Sequence, residues 1–268
     1  MGRALDIQLR VIPARVANPF VDAHHYSGKH VNNSQLHLGA FLDGRLHGVM
    51  SFGPPMDRSH VLGLVEGTPW DGMIELNRMA FDELLPRNSE SRCIGVAMRM
   101  LRRNAPQVKW VLSYADACSC GDGAIYRASN FVLTGIKRNA SVARLPNGEE
   151  LVDLAFRVTR TKKRPELGGL SAQEYFGTST PNFHEYVRLM GGHVLEGFQL
   201  RYVYFLDKSW RRRLTVPELP YSAIAEAGAT MYKGIRGAGA AVSTPGVQPG
   251  DGGSTPTAPL HVPEGSDE

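Results

Sequence analysis

The sequence predicts an α/β protein built on a central sheet of mixed direction, and three stretches carry that prediction. "QLHLGAFLDGRLHGVMSFGPP" holds two apolar runs joined by Asp43-Gly44, the kind of residue pair that a tight β-hairpin needs. "MIELNRMAF", residues 73 to 81, is a strand pattern, and it is followed by "ESRCIGVAMRMLRR", where Ile94, Ala97, Met98 and Leu101 recur at helical spacing. "VKWVLSYADA" is a nearly continuous apolar run, as in a strand covered on both faces.

Taken in order, "LDIQLRVIP" alternates as a strand, and a helix runs from Ala14 toward Tyr26 with Pro19 as a point where it can split. The hairpin comes next, then the strand at 73–81 and its helix, with Ser89 or Ser91 as N-cap. After "VKWVLSYADA", "GDGAIYRASNF" is a glycine turn opening a short helix, and "VLTGIKR" is a further strand. The order to residue 138 is β-α-β-β-β-α-β-α-β. A hairpin in its first half excludes the doubly wound nucleotide fold. From 139 to 165 the text is polar and without assignable pattern. "SAQEYFG" and "FHEYVRLMGG" predict short helices and "LRYVYFLD" a late strand. Past Arg236 the chain is mostly Gly, Pro, Ser and Thr, which divides it into a folded part, 1–236, with a C-terminal extension, and a disordered tail, 237–268.

At 268 residues and 42% hydrophobic content the chain can bury a substantial core. No apolar run approaches the roughly 18 to 20 residues of a membrane span, and the N-terminus has no signal-peptide pattern, so the expectation is a cytoplasmic protein with no membrane partner. Cys93, Cys118 and Cys120 form no CxxC pair and are expected as reduced thiols, the last two as packing or turn residues rather than a metal or reactive-thiol site. The formal charge is +4, but the tail carries four acidic residues and no Lys or Arg, so residues 1–236 carry +8. Basic groups gather at Arg99, Arg102 and Arg103, at Arg160 to Arg164 with Lys162 and Lys163, and at Arg211, Arg212 and Arg213. Such clusters suit a polyanion, and equally a solvated surface.

The pattern Arg92-x-x-Gly95-x-Ala97 falls between a strand and a helix, where glycine lets the backbone approach closely and free N–H groups favour phosphate oxygens. With "IYRASNF" downstream it resembles the GNAT acyltransferase superfamily, whose Arg/Gln-x-x-Gly-x-Gly/Ala loop holds a donor pyrophosphate. The stretches "HHYSG", "HLGAFLDGRLHGVMSFGPP", "ELNRMAF", "SRCIGVAMR", "WVLSYADA", "GAIYRASNF" and "YVYFLDKSWRRRL", spread over residues 6 to 235, more specifically resemble the Mom family of phage DNA-modification proteins.

That resemblance implies a GNAT-like mixed sheet flanked by helices. It also implies conversion of adenine in DNA to N6-carbamoylmethyladenine, inside an infected host cell, as protection against restriction. It points to His25, Tyr26, Arg78, Ser91, Asp116 and Tyr126 as site residues. Asn130 replaces the glycine frequent before the aromatic in the wider fold, and asparagine tolerates the left-handed backbone expected there.

The residues themselves leave alternatives open. Asp116, at the C-terminal end of an apolar strand, can orient or deprotonate an amine, or can cap the following turn. Tyr126 can donate to an oxyanion or can pack in the core. Arg78, in an apolar strand, needs Glu75 or an anionic ligand as partner. Tyr26 can stack on a base extruded from the duplex, with His25 positioning it. The run of His24, His25 and His30 contains no HxH or HxxxH pair, so a metal is chemically conceivable but unsupported by spacing.

Acetyl transfer to N6 would leave a carbonyl on that nitrogen, whereas the implied product has a methylene there. Transfer of an activated glycyl group from glycyl-tRNA, a thioester such as an acyl-CoA or another carrier, followed by attack of its amine on ring carbon C6, reconciles the two. Three function classes follow: a DNA-adenine hypermodification enzyme acting on double-stranded DNA, a conventional GNAT acetyltransferase using acetyl-CoA on a protein amine or small molecule, and a non-catalytic DNA-binding module. A homodimer stays open.

Overall fold

The computed structural model describes residues 3–118, 120–232 and 235–236. Its strands are β1 (Gln8–Val11), β2 (Leu36–Leu42), β3 (Arg45–Gly53), β4 (Met73–Phe81), β5 (Trp110–Asp116), β6 (Val132–Asn139), the short β7 (Val142–Arg144), β8 (Glu150–Val152) and β9 (His193–Val194), then β10 (Gly197–Phe205), β11 (Met231–Tyr232) and β12 (Ile235–Arg236). Seven of them form one sheet in the order β1-β2-β3-β4-β5-β10-β6, in which only β4 and β5 pair in parallel. The mixed α/β sheet expected from the sequence is present.

The helices are α1 (Ala14–His24), α2 (Arg58–Leu62), α3 (Ser89–Asn104), α4 (Ala124–Ala128), α5 (Asp153–Thr159), α6 (Ala172–Phe176), α7 (Phe183–Leu189) and α8 (Ser222–Glu226). The β2–β3 hairpin turns on Asp43 (φ 51°) and Gly44 (φ 77°), both left-handed as a two-residue turn requires. Pro19 lies inside α1 without splitting it, because Ala17 and Val21 are fully buried and tie the helix down on both sides of the missing N–H bond. One face of the sheet packs Leu76, Val111 and Ala115 against Cys93, Ile94, Ala97 and Met98 of α3. The other buries Met73, Trp110, Leu112, Val203 and Phe205 with Val65.

The N-cap expectation for α3 needs correction. The capping position is Asn88, in left-handed geometry with no side-chain cap. Ser89 and Ser91 instead donate their hydroxyls backwards, to the carbonyls of Pro86 and Asn88. A hydroxyl occupied as a donor to a carbonyl satisfies a different group from the free helical N–H.

Two features were not visible in the sequence. The short α2 follows the hairpin, and a small second unit is inserted between β6 and β10. That insertion has a three-stranded sheet, β8-β7-β9, and a core of its own containing Phe156, Leu167, Phe183 and Tyr186. The predicted helices at "SAQEYFG" and "FHEYVRLMGG" are its α6, opened by a Ser171/Glu174 capping box, and α7, capped by Asn182. "LRYVYFLD" belongs to β10, an interior strand with Leu200, Tyr202 and Val203 fully buried. The predicted disordered tail, 237–268, lies outside the described residues. Among the described residues no helix is long and apolar enough to cross a membrane.

Candidate functional site

The site starts from a defect in the sheet. β4 and β5 are in register only from Met73 opposite Trp110 to Glu75 opposite Leu112, and then they part. Ser113 Oγ donates to the Leu76 carbonyl across the opening gap at 3.3 Å. At the same point β4 carries a bulge: Ser51 faces Arg78 and Phe52 faces Leu76, so Asn77 is the extra residue. A bulge re-aims the side chains around it. Asn77 accepts from Ser34 Oγ (3.1 Å) and crowds Gly53, where an added Cβ would lie 2.7 Å from Asn77 Oδ1.

Around this gap the structure gathers the five residues singled out as catalytic. Arg78 donates through Nε to the Lys29 carbonyl (3.0 Å) and through a terminal nitrogen to the Asn77 carbonyl (2.8 Å). The expected Glu75 partner is a near neighbour that stabilises the cation but makes no ion pair within 4.0 Å among the described residues. Burial lowers the Arg78 pKa, a cost that an anionic ligand would offset.

His25 accepts the Ser27 backbone N–H at Nδ1 (3.2 Å), which places its proton on Nε2. Burial, then the Arg78 charge, depress its pKa to about 3, so the ring stays neutral. Its neighbours in the His-rich run turn to other partners: His24 stacks on Phe20 (4.3 Å) and His30 Nδ1 bonds Asp22 (2.8 Å). Among the described residues no cluster of three or more His, Cys, Asp or Glu could hold a metal.

Tyr26 leans on the His25 ring (4.3 Å between centroids) and is 48% exposed, an aromatic face open to a ligand. Its pKa is raised by desolvation and by Asp116 and Cys120, while Arg78 opposes them. Asp116 takes the capping role that was its plainer alternative, accepting the Cys118 N–H at 2.8 Å, and it also stands in the electrostatic field of Tyr26. Tyr126 is a core residue by its ring, which packs 5.2 Å from both Phe131 and Tyr202. Its hydroxyl meets Ser113 at the gap, and burial pushes its pKa up to about 12, so it remains a proton donor.

Three further groups join them, of which the sequence names Glu75 only as a partner for Arg78 and Cys120 only as a packing or turn residue. Burial pushes the Glu75 carboxyl up to about 7. The Cys120 thiol is raised by burial first and then by the charges of Asp116 and Glu150. Glu150 comes from the insertion. Nothing in the local sequence marks any of them, because the strand gap and the insertion create their proximity. The loop bearing Cys120 is anchored by buried Asp122, which pairs with Arg127 (3.1 Å), while the Asp122 N–H donates to the Met231 carbonyl (2.9 Å) and its carbonyl accepts from Tyr202 Oη (2.6 Å). Gly123, at φ 80°, ends that loop where any Cβ would strike the Tyr202 ring at 2.5 Å.

A cavity of about 620 Å³ opens beside this cluster, between the turn Tyr26, Ser27, Gly28, Lys29 and the β7–β8 hairpin with Arg144, Gly148, Glu149 and Glu150. Lys29 and Glu149 face each other across it at 3.7 Å. It is a shallow pocket, widely open to solvent.

The phosphate motif is helical rather than a loop. Arg92, Gly95 and Ala97 all lie within α3, and Ala97 is fully buried against the sheet. Glu90 and Ser91 are the residues whose N–H groups have no backbone acceptor among the described residues. Arg92 Nε is buried without a hydrogen-bond partner there.

The basic clusters separate. Gly197 pairs with Asn139 and Gln199 with Asp116, so the insertion that carries Lys162 and Lys163 is rooted at the Asp116 end of the sheet. Phe205 pairs with Trp110, so Arg211, Arg212 and Arg213 follow from the opposite end, about 20 Å away along the strand. Arg211 is held by a two-pronged ion pair to Glu218, and Arg213 stacks over Trp210 (4.3 Å).

Comparison with known proteins adds the following. A profile described as the Mom protein family matches residues 6–223. The methylcarbamoylase mom of Escherichia phage Mu is 38% identical over 130 residues, which are 48% of this chain and 54% of that protein. The match thus spans about half the length of that relative. Among solved structures, an N-acetyltransferase from Staphylococcus aureus Mu50 aligns at 9% identity over 75% of this chain and 98% of its own, with a TM-score of 0.41. A spermidine/spermine N-acetyltransferase from Vibrio cholerae aligns at 8% identity over 79% and 99%, with a TM-score of 0.42.

Proposed function

Because the chain belongs to the Mom protein family, we propose that it is a transferase that converts adenine in double-stranded DNA to N6-carbamoylmethyladenine and so shields phage DNA from restriction. The observation that carries this reading is the polar gap between β4 and β5, where Arg78, Asp116, Tyr26 and Tyr126 meet beside a cavity of about 620 Å³. The name of the phage Mu relative, methylcarbamoylase, agrees with a transfer of this kind.

Inside a duplex adenine N6 is paired with thymine and the faces of the base are stacked, so reaction at N6 and C6 requires the base to be extruded, and it then stacks on Tyr26. The neutral His25 ring offers its Nε2–H to position it. Asp116 takes a proton from the amine as N6 attacks the carbonyl of an activated glycyl group. The N6–carbonyl bond forms, the bond to the carrier breaks, and the Tyr126 hydroxyl donates to the oxyanion or the leaving group. The glycyl amine then attacks C6 through a five-membered ring and the C6–N6 bond breaks, so the former N6 ends as the terminal amide. The second step is an isomerisation and needs no oxidant. Arg78 and the start of α3, with Arg92 Nε and the N–H groups at Glu90 and Ser91, hold the donor's anionic part, whether from a glycyl-tRNA end, a CoA-type thioester or another carrier. Lys162 and Lys163, on the same end of the sheet, serve the DNA backbone.

Expression of the chain in a bacterium, followed by digestion of plasmid DNA to nucleosides and mass spectrometry, tests the function. Unmodified deoxyadenosine from a folded, expressed protein removes it. Nitrogen-15 at adenine N6 tests the route: label retained on C6 excludes the migration.

A further inference from the structure

We propose that the Arg144–Glu150 pair on the inserted β7–β8 hairpin reads the edge of the extruded base, and that the insertion is therefore the specificity element of the site. This rests on the reading of a DNA base as the substrate.

The pair is built as a donor beside an acceptor. Arg144 and Glu150 stand directly opposite in the antiparallel register and bond at 2.6 Å through one terminal Arg nitrogen and Glu150 Oε1. Glu150 Oε2 and the remaining guanidinium N–H groups have no further hydrogen bond among the described residues. Both residues line the cavity with Tyr26, so an aromatic face and a polar edge bound one space. Glu150 is the less exposed partner, 19% against 47% for Arg144, and its charge is felt at Cys120 together with that of Asp116. A cross-strand ion pair on open surface would lack both the cavity and that coupling.

Adenine presents an N6–H donor beside a ring-nitrogen acceptor on either polar edge, the pattern that an Asn or Gln amide reads in duplex DNA. A carboxylate next to a guanidinium offers the same acceptor and donor, with Glu150 taking the N6–H and Arg144 donating to the ring nitrogen. Cytosine shares the pattern in a smaller ring, whereas guanine and thymine place a carbonyl where Glu150 needs a donor. The carboxylate would also hold the amine that is to react.

The test is binding, so it needs no donor. Duplexes with one adenine opposite an abasic site are compared with the same duplex carrying purine, which lacks the 6-amino group, at fixed salt and by anisotropy. The full chain is expected to prefer adenine about tenfold, and Glu150→Ala to reduce the preference below about twofold with an unchanged unfolding midpoint. The full chain is expected to disfavour either 1-deazaadenine or 7-deazaadenine, according to the edge that is read, and Arg144→Ala to abolish that discrimination, a result that stands even if Glu150→Ala fails to fold. Plasmid DNA that is modified while the wild-type chain shows no preference, or while both variants keep it, overturns the proposal and leaves the proposed function standing. Unmodified plasmid DNA overturns the function and this pocket with it.

Discussion

At its first residue β5 is finished core. Trp110 is fully buried, its indole N–H donates to Thr68 Oγ1 at 3.0 Å, and it stands in register with Met73 of the parallel β4. At its last residue the same strand has lost β4, and the charge of Asp116 acts on both Tyr26 and Cys120. One end is closed by apolar packing and the indole hydrogen bond, whereas the other keeps buried titratable groups displaced from their ordinary ranges. The difference teaches that the candidate site gathers where the pairing of β4 with β5 stops, while the paired end is ordinary core.

Substitutions at the two ends should therefore separate stability from activity. Trp110→Ala is expected to remove about 3–5 kcal/mol of stability in denaturant unfolding, with activity lost because the fold is lost. Asp116→Asn keeps an acceptor for the Cys118 N–H, so it should leave the unfolding midpoint nearly unchanged while DNA modification falls by about 10²–10⁴ in nucleoside analysis. A parallel loss of stability at Asp116 would dissolve the distinction.

Glu75, at the last paired position of β4, sharpens it. Its folded pKa of about 7 lies above the ordinary 4.5, so the stability it contributes is complete below the ordinary value and is lost as pH rises through about 7. Glu75→Gln should then match the wild type near pH 4 and exceed it at pH 8.5 by on the order of 2 kcal/mol in urea titrations at both pH values. Lys29→Ala should change least. Its exposed pair with Glu149 contributes under about 1 kcal/mol, so thermal unfolding should barely move.

How far the sequence reached follows the same division. The Asp43-Gly44 hairpin, the strand at 73–81, β5 and the helix after it were legible because each announces itself through neighbouring residues. Asn130 at φ 63° confirmed the left-handed backbone anticipated for it. The insertion was not legible, since strands of two and three residues have no periodicity and its core joins residues as distant as Ala143 and Val187. For the site, the resemblance named His25, Tyr26, Arg78, Ser91, Asp116 and Tyr126; all but Ser91, whose hydroxyl bonds the Asn88 carbonyl at the start of α3, gather around the gap. Glu150 escaped notice, Glu75 was named only as a partner for Arg78 and Cys120 only as a packing or turn residue, because a widening gap and an inserted hairpin, rather than spacing along the chain, put them there. Ser89 and Ser91 misled as caps because a serine before a helix can equally bond backwards.

The place of β10 also sets a schedule. This strand is interior to the sheet, between β5 and the edge strand β6, yet it is the last of the seven to be synthesised, after the whole insertion. Until residue 205 has cleared the ribosome, β5 presents a bare apolar edge carrying Val111 and Leu112, open to pairing with other nascent chains. The insertion, with its own core, can fold first and shorten the wait by drawing Asn139 and Gly197 together. Rapid, high-level translation should thus aggregate this protein through β5, and slower synthesis in the cold should rescue it.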